Sequence, residues 1–173
     1  MTRLLLVRHG ETDWNADGRL QGQTDRPLSD FGRTQALRLA GELAEEELEA
    51  IYSSDLARAL ETAEIVAERV GLPVLLDPDL REKDWGTWEG LTAVERDRVE
   101  FVGESTEAHQ ERILRALRRI SEGHPDGGSV LVVTHGGSMC RVQTAALGMA
   151  LPVVENCGRW LCAYENGAFR ALD

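Results

Sequence analysis

The chain has 173 residues, 42% of them hydrophobic and 28% charged, with a formal net charge of -11 at pH 7. That length suits a single domain over residues 1–173 with a real core. The acidic balance argues against a nucleic-acid partner, which would need a basic footprint. No apolar run approaches the roughly 20 residues that span a bilayer, so no membrane partner is expected.

The chain opens on Leu4-Leu5-Leu6-Val7, a short apolar run that fits a strand buried on both faces. Arg8-His9-Gly10 follows at once, so a guanidinium and an imidazole sit where this strand leaves the core. In open α/β sheets that edge is where ligands bind. The segment Gly10–Ser29 then shows no clean period. A loop of about twenty residues in a compact domain tends to be functional.

Ser29 or Asp30 can cap a helix with an apolar stripe at Ala36, Leu37, Leu39, Ala40, Leu43 and Ala44, closing in the acidic run Glu45-Glu46-Glu47. Ala50–Ser53 is a second strand. Ser54 or Asp55 should cap a helix through Arg69, stopped by Gly71 and Pro73. Val74–Leu76 is a third strand, and Leu80–Gly90 is irregular and rich in tryptophan. A short helix is expected from Thr92 to about Glu100, and a longer one capped by Ser105 runs to about Glu122. Ser129–Val133 is the strongest strand signal, followed by Thr134-His135-Gly136-Gly137 and a helix from about Ser138 to Leu147. Two β-rich runs, 160–164 and 168–172, flank Asn166-Gly167, a favoured type I′ turn pair.

Strands alternating with helices predict a three-layer α/β/α sandwich with a mostly parallel central sheet and a C-terminal β-hairpin at one edge. An exposed edge strand in that hairpin would allow pairing with a second copy as a homodimer. Cys140, Cys157 and Cys162 form no close pair, so they are expected as small buried apolar residues rather than a disulfide or zinc site. His9, His109, His124 and His135 lack metal-site spacing, and no metal or cofactor is expected. His109 and His124 read as solvated. No charged, apolar and small-residue sequence opens the chain as a secretory signal would, so a cytoplasmic location is expected.

Two strands thus end in histidine. If both are central and parallel, Arg8, His9 and His135 emerge on one edge, joined by Arg58 from the first turn of the helix after the second strand. Two guanidiniums and two imidazoles suit a phosphoryl group, whose oxygens accept paired charge-assisted hydrogen bonds. Fixed cationic donors are also the main protein contribution to phosphoryl transfer.

These residues carry a family resemblance. Arg8-His9-Gly10-Glu11-Thr12 with Trp14-Asn15, Ser53-Ser54-Asp55-Leu56-Ala57-Arg58-Ala59 with Thr62, Leu80-Arg81-Glu82 with Trp85-Gly86-Thr87-Trp88-Glu89-Gly90, Gly103-Glu104-Ser105, and Val133-Thr134-His135-Gly136-Gly137 occur in order. Together they make the chain similar to the histidine phosphatase superfamily, also called phosphoglycerate mutase-like. The resemblance implies a phosphoglycerate mutase-like fold and a small-molecule phosphomonoester substrate. It implies His9 as the nucleophile that becomes a phosphohistidine, and Glu82 as general acid and then base. Arg8, Arg58 and His135 would hold the phosphoryl oxygens, and Asn15, Gln21, Gly22 and Gly136 fall where the family places further phosphate contacts. Trp85 suits a pocket wall; Asp84 and Glu89 are rivals for the acid role. Glu104 and Ser105 read better as a helix start than as catalysts.

Arginines around His9 should lower its pKa and keep it neutral. The same arginines favour ionised Glu82, so its protonation is expected mainly in the substrate complex, where a phosphate dianion repels the carboxylate. Members similar to the cofactor-dependent mutase carry a longer, basic insertion after the glutamate motif. Here only Leu91–Val102 fills that gap, with Arg96 and Arg98 against Glu95, Asp97 and Glu100. So small a lid leaves the site open to water and favours a phosphatase, of the kind similar to α-ribazole phosphatase. A 2,3-bisphosphoglycerate-dependent mutase is the alternative. A catalytically silent phosphate-binding protein of the same fold is the least favoured.

Overall fold

The structure is a computed structural model and describes residues 1–125, 127–149 and 151–172. Six strands, β1 (Thr2–Arg8), β2 (Leu48–Ser53), β3 (Val74–Leu76), β4 (Ser129–Thr134), β5 (Arg159–Glu165) and β6 (Ala168–Ala171), form one sheet in the order β3-β2-β4-β1-β5-β6. β1 runs parallel to β4, and β2 runs parallel to both β4 and β3; β5 is antiparallel to β1 and β6 to β5. The helices are α1 (Asp13–Ala16), α2 (Asp30–Glu42), α3 (Ala57–Val70), α4 (Ala93–Arg96), α5 (Thr106–Glu122) and α6 (Gly136–Leu147).

Strand alternation divides the core in two. Leu4 and Leu6 of β1 with Val130 and Val132 of β4 face Ile113, Leu117, Met139 and Val142 of α5 and α6. Val7, Leu131 and Val133 face Leu39, Ala40, Ala59, Ala63 and Val66 of α2 and α3. Both faces are therefore dry along β4 from Val130 onward and at Leu6 and Val7 of β1, which is why their sequences read as apolar runs. The three-layer architecture is the expected one, with a phosphoglycerate mutase-like sheet and a C-terminal strand pair. Asn166 (φ 53°) and Gly167 (φ 83°) both take positive φ in the β5–β6 turn, as a type I′ turn requires. No helix of the described residues is long and apolar enough to cross a membrane.

Several element boundaries differ from the sequence expectation, each for a local reason. The helix expected from Thr92 to about Glu100 is a single turn, α4. The Thr92–Glu95 capping box closes that turn. Beyond it the backbone is drawn to the tryptophan segment, where Trp88 Nε1–H donates to Val99 O and the Thr87 hydroxyl to Glu100 O. The irregular 10–29 segment contains α1, made by a reciprocal Thr12–Asn15 capping box. α2 stops at Glu42, short of the acidic run, and β2 begins at Leu48.

α3 starts after Leu56 with no side-chain cap, rather than on Ser54 or Asp55. Asp55 is held by Arg81 in a two-pronged ion pair, and Asp25 Oδ1 takes the Ala57 amide instead. α6 begins at Gly136, two residues earlier than expected, with His135 as its N-cap. Ser105 does cap α5, accepting from the Ala108 amide. Cys140 and Cys162 are buried and Cys157 is half-buried.

Candidate active site

The β1–β4 pairing fixes the site's centre. Arg8 lies in register with Thr134, and the His9 amide donates to Thr134 O at 3.0 Å. His9 and His135 therefore leave adjacent strands side by side, their ring centroids 5.2 Å apart. Ser54, at the end of β2, joins them: its amide donates to Val133 O, and its Oγ lies 2.9 Å from His135 Nε2.

His9 is almost wholly buried, and its Nδ1 lies 2.6 Å from Gly10 O. A carbonyl can only accept, so Nδ1 carries the proton and Nε2 holds the lone pair. Arg58 Nε donates to that Nε2 at 3.2 Å. Burial holds the His9 pKa well below its ordinary value, and the charges of Arg58 and Arg8 push it the same way against the Gly10 hydrogen bond. The imidazole is neutral, with one nitrogen free of a proton.

Arg58 stands in the first turn of α3 and has no exposed surface. Its other nitrogens donate to Gly22 O (2.6 Å) and Thr24 O (3.2 Å). Burial lowers its pKa to about 10, which leaves it charged at neutral pH. Glu89 in turn organises the 22–24 segment. Its carboxylate accepts the amides of Gln23 (2.8 Å), Thr24 (2.6 Å) and Trp85 (3.1 Å). Burial pushes the Glu89 pKa up, but the Thr24 hydroxyl and these amides outweigh it and leave it lowered. Thr62 completes the floor: its hydroxyl donates to Arg58 O and accepts the Gly10 amide.

Glu82 is buried beside these groups. Its Oε1 accepts the Lys83 amide and its Oε2 the Gly137 amide, each at 2.8 Å. Burial raises its pKa, and the two amides, Arg58 and Arg8 only partly oppose this. The sequence expectation that the arginines dominate is therefore corrected. Desolvation is the larger effect, and it favours the protonated acid even before a ligand arrives. Arg112 of α5 fixes the segment carrying Glu82 by donating to Asp79 O, Arg81 O and Glu82 O while paired with Glu104.

Asp84 and Glu89 do not compete for that place. Asp84 is exposed and takes the Gly86 amide, while Glu89 is committed to the backbone as described. Trp85 stacks on Trp88 at 6.3 Å and meets Phe101 edge-on, with the Lys83 ammonium 4.3 Å from its ring centroid. Asn15 is tied to the Thr12 amide and to Asn156. Gly22 gives its carbonyl to Arg58, and Gly136 opens α6 next to Arg8 Nε. Gln21 is buried, and its Oε1 accepts the Thr12 hydroxyl.

Three buried nitrogens among these residues have no protein partner: Arg8 Nε, Gln21 Nε2 and His135 Nδ1. Buried polar atoms without partners are rare in folded proteins, and these three are available to hydrogen-bond a bound group. Among the described residues, no group of three or more His, Cys, Asp or Glu side chains is placed to hold a metal ion.

Two residues were missed by sequence reasoning. Asn156 Nδ2 donates to His9 O at 3.0 Å and so fixes the backbone of the imidazole. No local signal marked it. His109, expected in solvent, is buried with its Nε2 2.9 Å from Ser138 Oγ and 3.7 Å from Glu82 Oε1. His124 is half-buried, edge-on to Tyr52 and 3.0 Å from Glu49.

Comparison with known proteins identifies the family and the fold. The family model described as histidine phosphatase superfamily (branch 1) matches residues 4–171. "Phosphoglycerate mutase-like protein 4" of Arabidopsis thaliana is 41% identical over 153 residues, which is 78% of this chain and 66% of that protein's length. "Glucosyl-3-phosphoglycerate phosphatase" of Mycolicibacterium vanbaalenii is 38% identical, covering 85% of this chain and 75% of the relative. Among solved structures, "Bacillus stearothermophilus YhfR" superposes with a TM-score of 0.90 at 35% identity, covering 99% of this chain and 95% of that one.

Proposed function

The chain belongs to the histidine phosphatase superfamily, and on that premise we propose that it is a phosphomonoester hydrolase acting through a phosphohistidine on His9. Superfamily members are phosphatases or mutases, so enzymatic phosphoryl chemistry is the common ground. The observation that carries the proposal is the state of His9. It is neutral, protonated on Nδ1 by its bond to Gly10 O, and presents the Nε2 lone pair among two guanidiniums and a second imidazole.

Nε2 attacks phosphorus and the ester P–O bond breaks. Glu82, whose pKa burial raises, gives its proton to the departing alkoxide. Arg8, Arg58 and His135 bind the equatorial oxygens, where charge builds up. The unpartnered nitrogens of Arg8 and Gln21 add donors there. Water then attacks the phosphohistidine, Glu82 takes its proton, and inorganic phosphate leaves with His9 restored.

Hydrolysis rather than phosphate return is favoured by the small cover over the site. Residues 91–102 hold one helical turn, and Val94 and Val102 are exposed. The test is turnover of 3-phosphoglycerate with and without 2,3-bisphosphoglycerate beside a panel of phosphomonoesters, following inorganic phosphate and 2-phosphoglycerate. Free phosphate from several esters without 2-phosphoglycerate is expected. Rapid bisphosphoglycerate-dependent isomerisation would replace the hydrolase with a mutase. A wild type that turns over none of them would leave a phosphate-binding protein.

A further inference from the structure

α5 packs its apolar stripe of Ile113, Ala116, Leu117 and Ile120 into the core, and His109 lies on the same stripe. An imidazole there leaves no exposed surface to speak of, so its ring nitrogens must be accounted for inside the protein. The Ser138 hydroxyl has one proton, which it donates to Arg81 O at 3.3 Å. Ser138 Oγ is then an acceptor for His109, and His109 Nε2, 2.9 Å away, carries the ring proton. That N–H edge also looks at Glu82 Oε1 across 3.7 Å.

We propose that His109 is a positioning residue for Glu82: a neutral imidazole, aimed by Ser138, whose Nε2–H edge steadies the carboxylate and sets the pH at which Glu82 exchanges its proton. This rests on Glu82 being the acid and base of the hydrolase. His109 does not touch substrate; it acts on the group that does.

Neutrality is part of the design. The charged and titratable groups around His109 are Glu82 and Lys83 from the 81–83 segment, Arg112 on its own helix, and Glu104 just before that helix. Arg141 of α6 and His135 complete the set. Burial is the main cause that lowers the His109 pKa to about 4, with Arg112, Arg141 and Lys83 adding to it against Glu104. A charged imidazolium would clamp Glu82 as a permanent carboxylate. A neutral N–H dipole near Oε1 gives a weaker bias that leaves the acid form accessible. Lys83 and Gly137 bond the two carboxylate oxygens from the backbone, so the side chain of His109 is the tunable contact on Oε1.

The experiment follows the Glu82 carboxyl carbon by 13C NMR through a pH titration, with Glu82→Gln to assign the resonance. His109→Leu is expected to move the midpoint upward by about 0.5 pH unit, because a dipole favouring the ionised form is lost. The alkaline limb of kcat/KM should move with it. His109→Gln, which keeps an N–H donor, is expected to return both to within about 0.2 pH unit of wild type. If His109→Leu does not fold, Ser138→Ala releases the imidazole and is expected to shift the midpoint in the same direction. An unchanged midpoint in His109→Leu, or equal shifts in the Leu and Gln variants, would overturn the proposal. The titration needs no turnover, so an inactive wild type would remove the hydrolase and leave the NMR result to decide on His109.

Discussion

Gly137 and Glu82 are locked face to face: the Gly137 amide donates to Oε2 at 2.8 Å, while a Cβ on Gly137 would sit 2.5 Å from Oε1. The first turn of α6 thus holds the carboxyl through its backbone, and position 137 has no room for a side chain. Gly137→Ala keeps a helix-compatible backbone but forces Glu82 out of place. The expected result is at least a tenfold loss of kcat, about 1.4 kcal/mol of barrier. Gly41→Ala in α2, where an added Cβ meets nothing, is the control and should leave activity unchanged. Equal activity in the two variants would show that the carboxyl does not need this seat.

Arg58 binds three acceptors with one rigid fork: His9 Nε2, Gly22 O and Thr24 O. Lysine has the charge but not the fork, so Arg58→Lys leaves at least one buried carbonyl unpaired. The fold should lose about 1–3 kcal/mol by that route. kcat/KM should fall roughly a hundredfold, the usual cost of one transition-state donor. Chemical denaturation and steady-state kinetics on the same variant separate the two effects.

Burial has opposite effects on the two reacting groups, and the pH–rate profile should show both. His9 stays neutral well below its ordinary titration range, so activity should persist on the acid side of pH 6.5. Glu82 is held protonated above the usual carboxylate range, so the alkaline limb should belong to it. Glu82→Gln should lose that limb. Its rate should drop about 100-fold or more on alkyl phosphates. On p-nitrophenyl phosphate, whose leaving group needs no proton, phosphorylation of His9 should be little slowed, so a burst of p-nitrophenol should survive while hydrolysis of the phosphohistidine loses its base. A wild-type-shaped profile in Glu82→Gln would remove Glu82 from the acid role.

Stability should carry the same signature. His9, His109 and His135 have folded pKa values below the unfolded value, so the unfolded chain binds more protons as pH falls below about 6.5. Their stabilising contribution is fully present above that pH and fades beneath it. His109, whose folded pKa is about 4, costs about 2 kcal/mol at pH 5, and His9 and His135 act in the same direction. Glu82, with its raised pKa, works the other way and offsets part of this. Tm should be at least about 5 °C lower at pH 5.0 than at pH 7.0. An equal Tm would mean the histidines are protonated in the fold.

Legibility of the chain followed the range of the forces involved. β1 and β4 were readable because their apolar runs are unbroken, and that reading brought Arg8, His9 and His135 to one edge. Arg58 followed from its place in the first turn after β2. The start of α3 was not readable, because Asp55 and Ser54 are held by Arg81 and His135, partners that only the tertiary fold supplies. The helix after Thr92 was overestimated for the same reason. His109 did have a signal: its spacing to Ile113, Ala116, Leu117 and Ile120 puts it on the buried stripe of α5. The order of effects on Glu82 was misjudged because sequence shows nearby charges but not the depth of burial.

The most direct measurement is acid-labile, alkali-stable phosphate trapped on the enzyme by rapid quench during turnover of p-nitrophenyl phosphate, located by peptide mass spectrometry. The account predicts one phosphoryl group on the peptide carrying His9 and none in His9→Ala, which should also lose hydrolysis. Wild-type turnover with no phosphoenzyme, or an active His9→Ala, would contradict it.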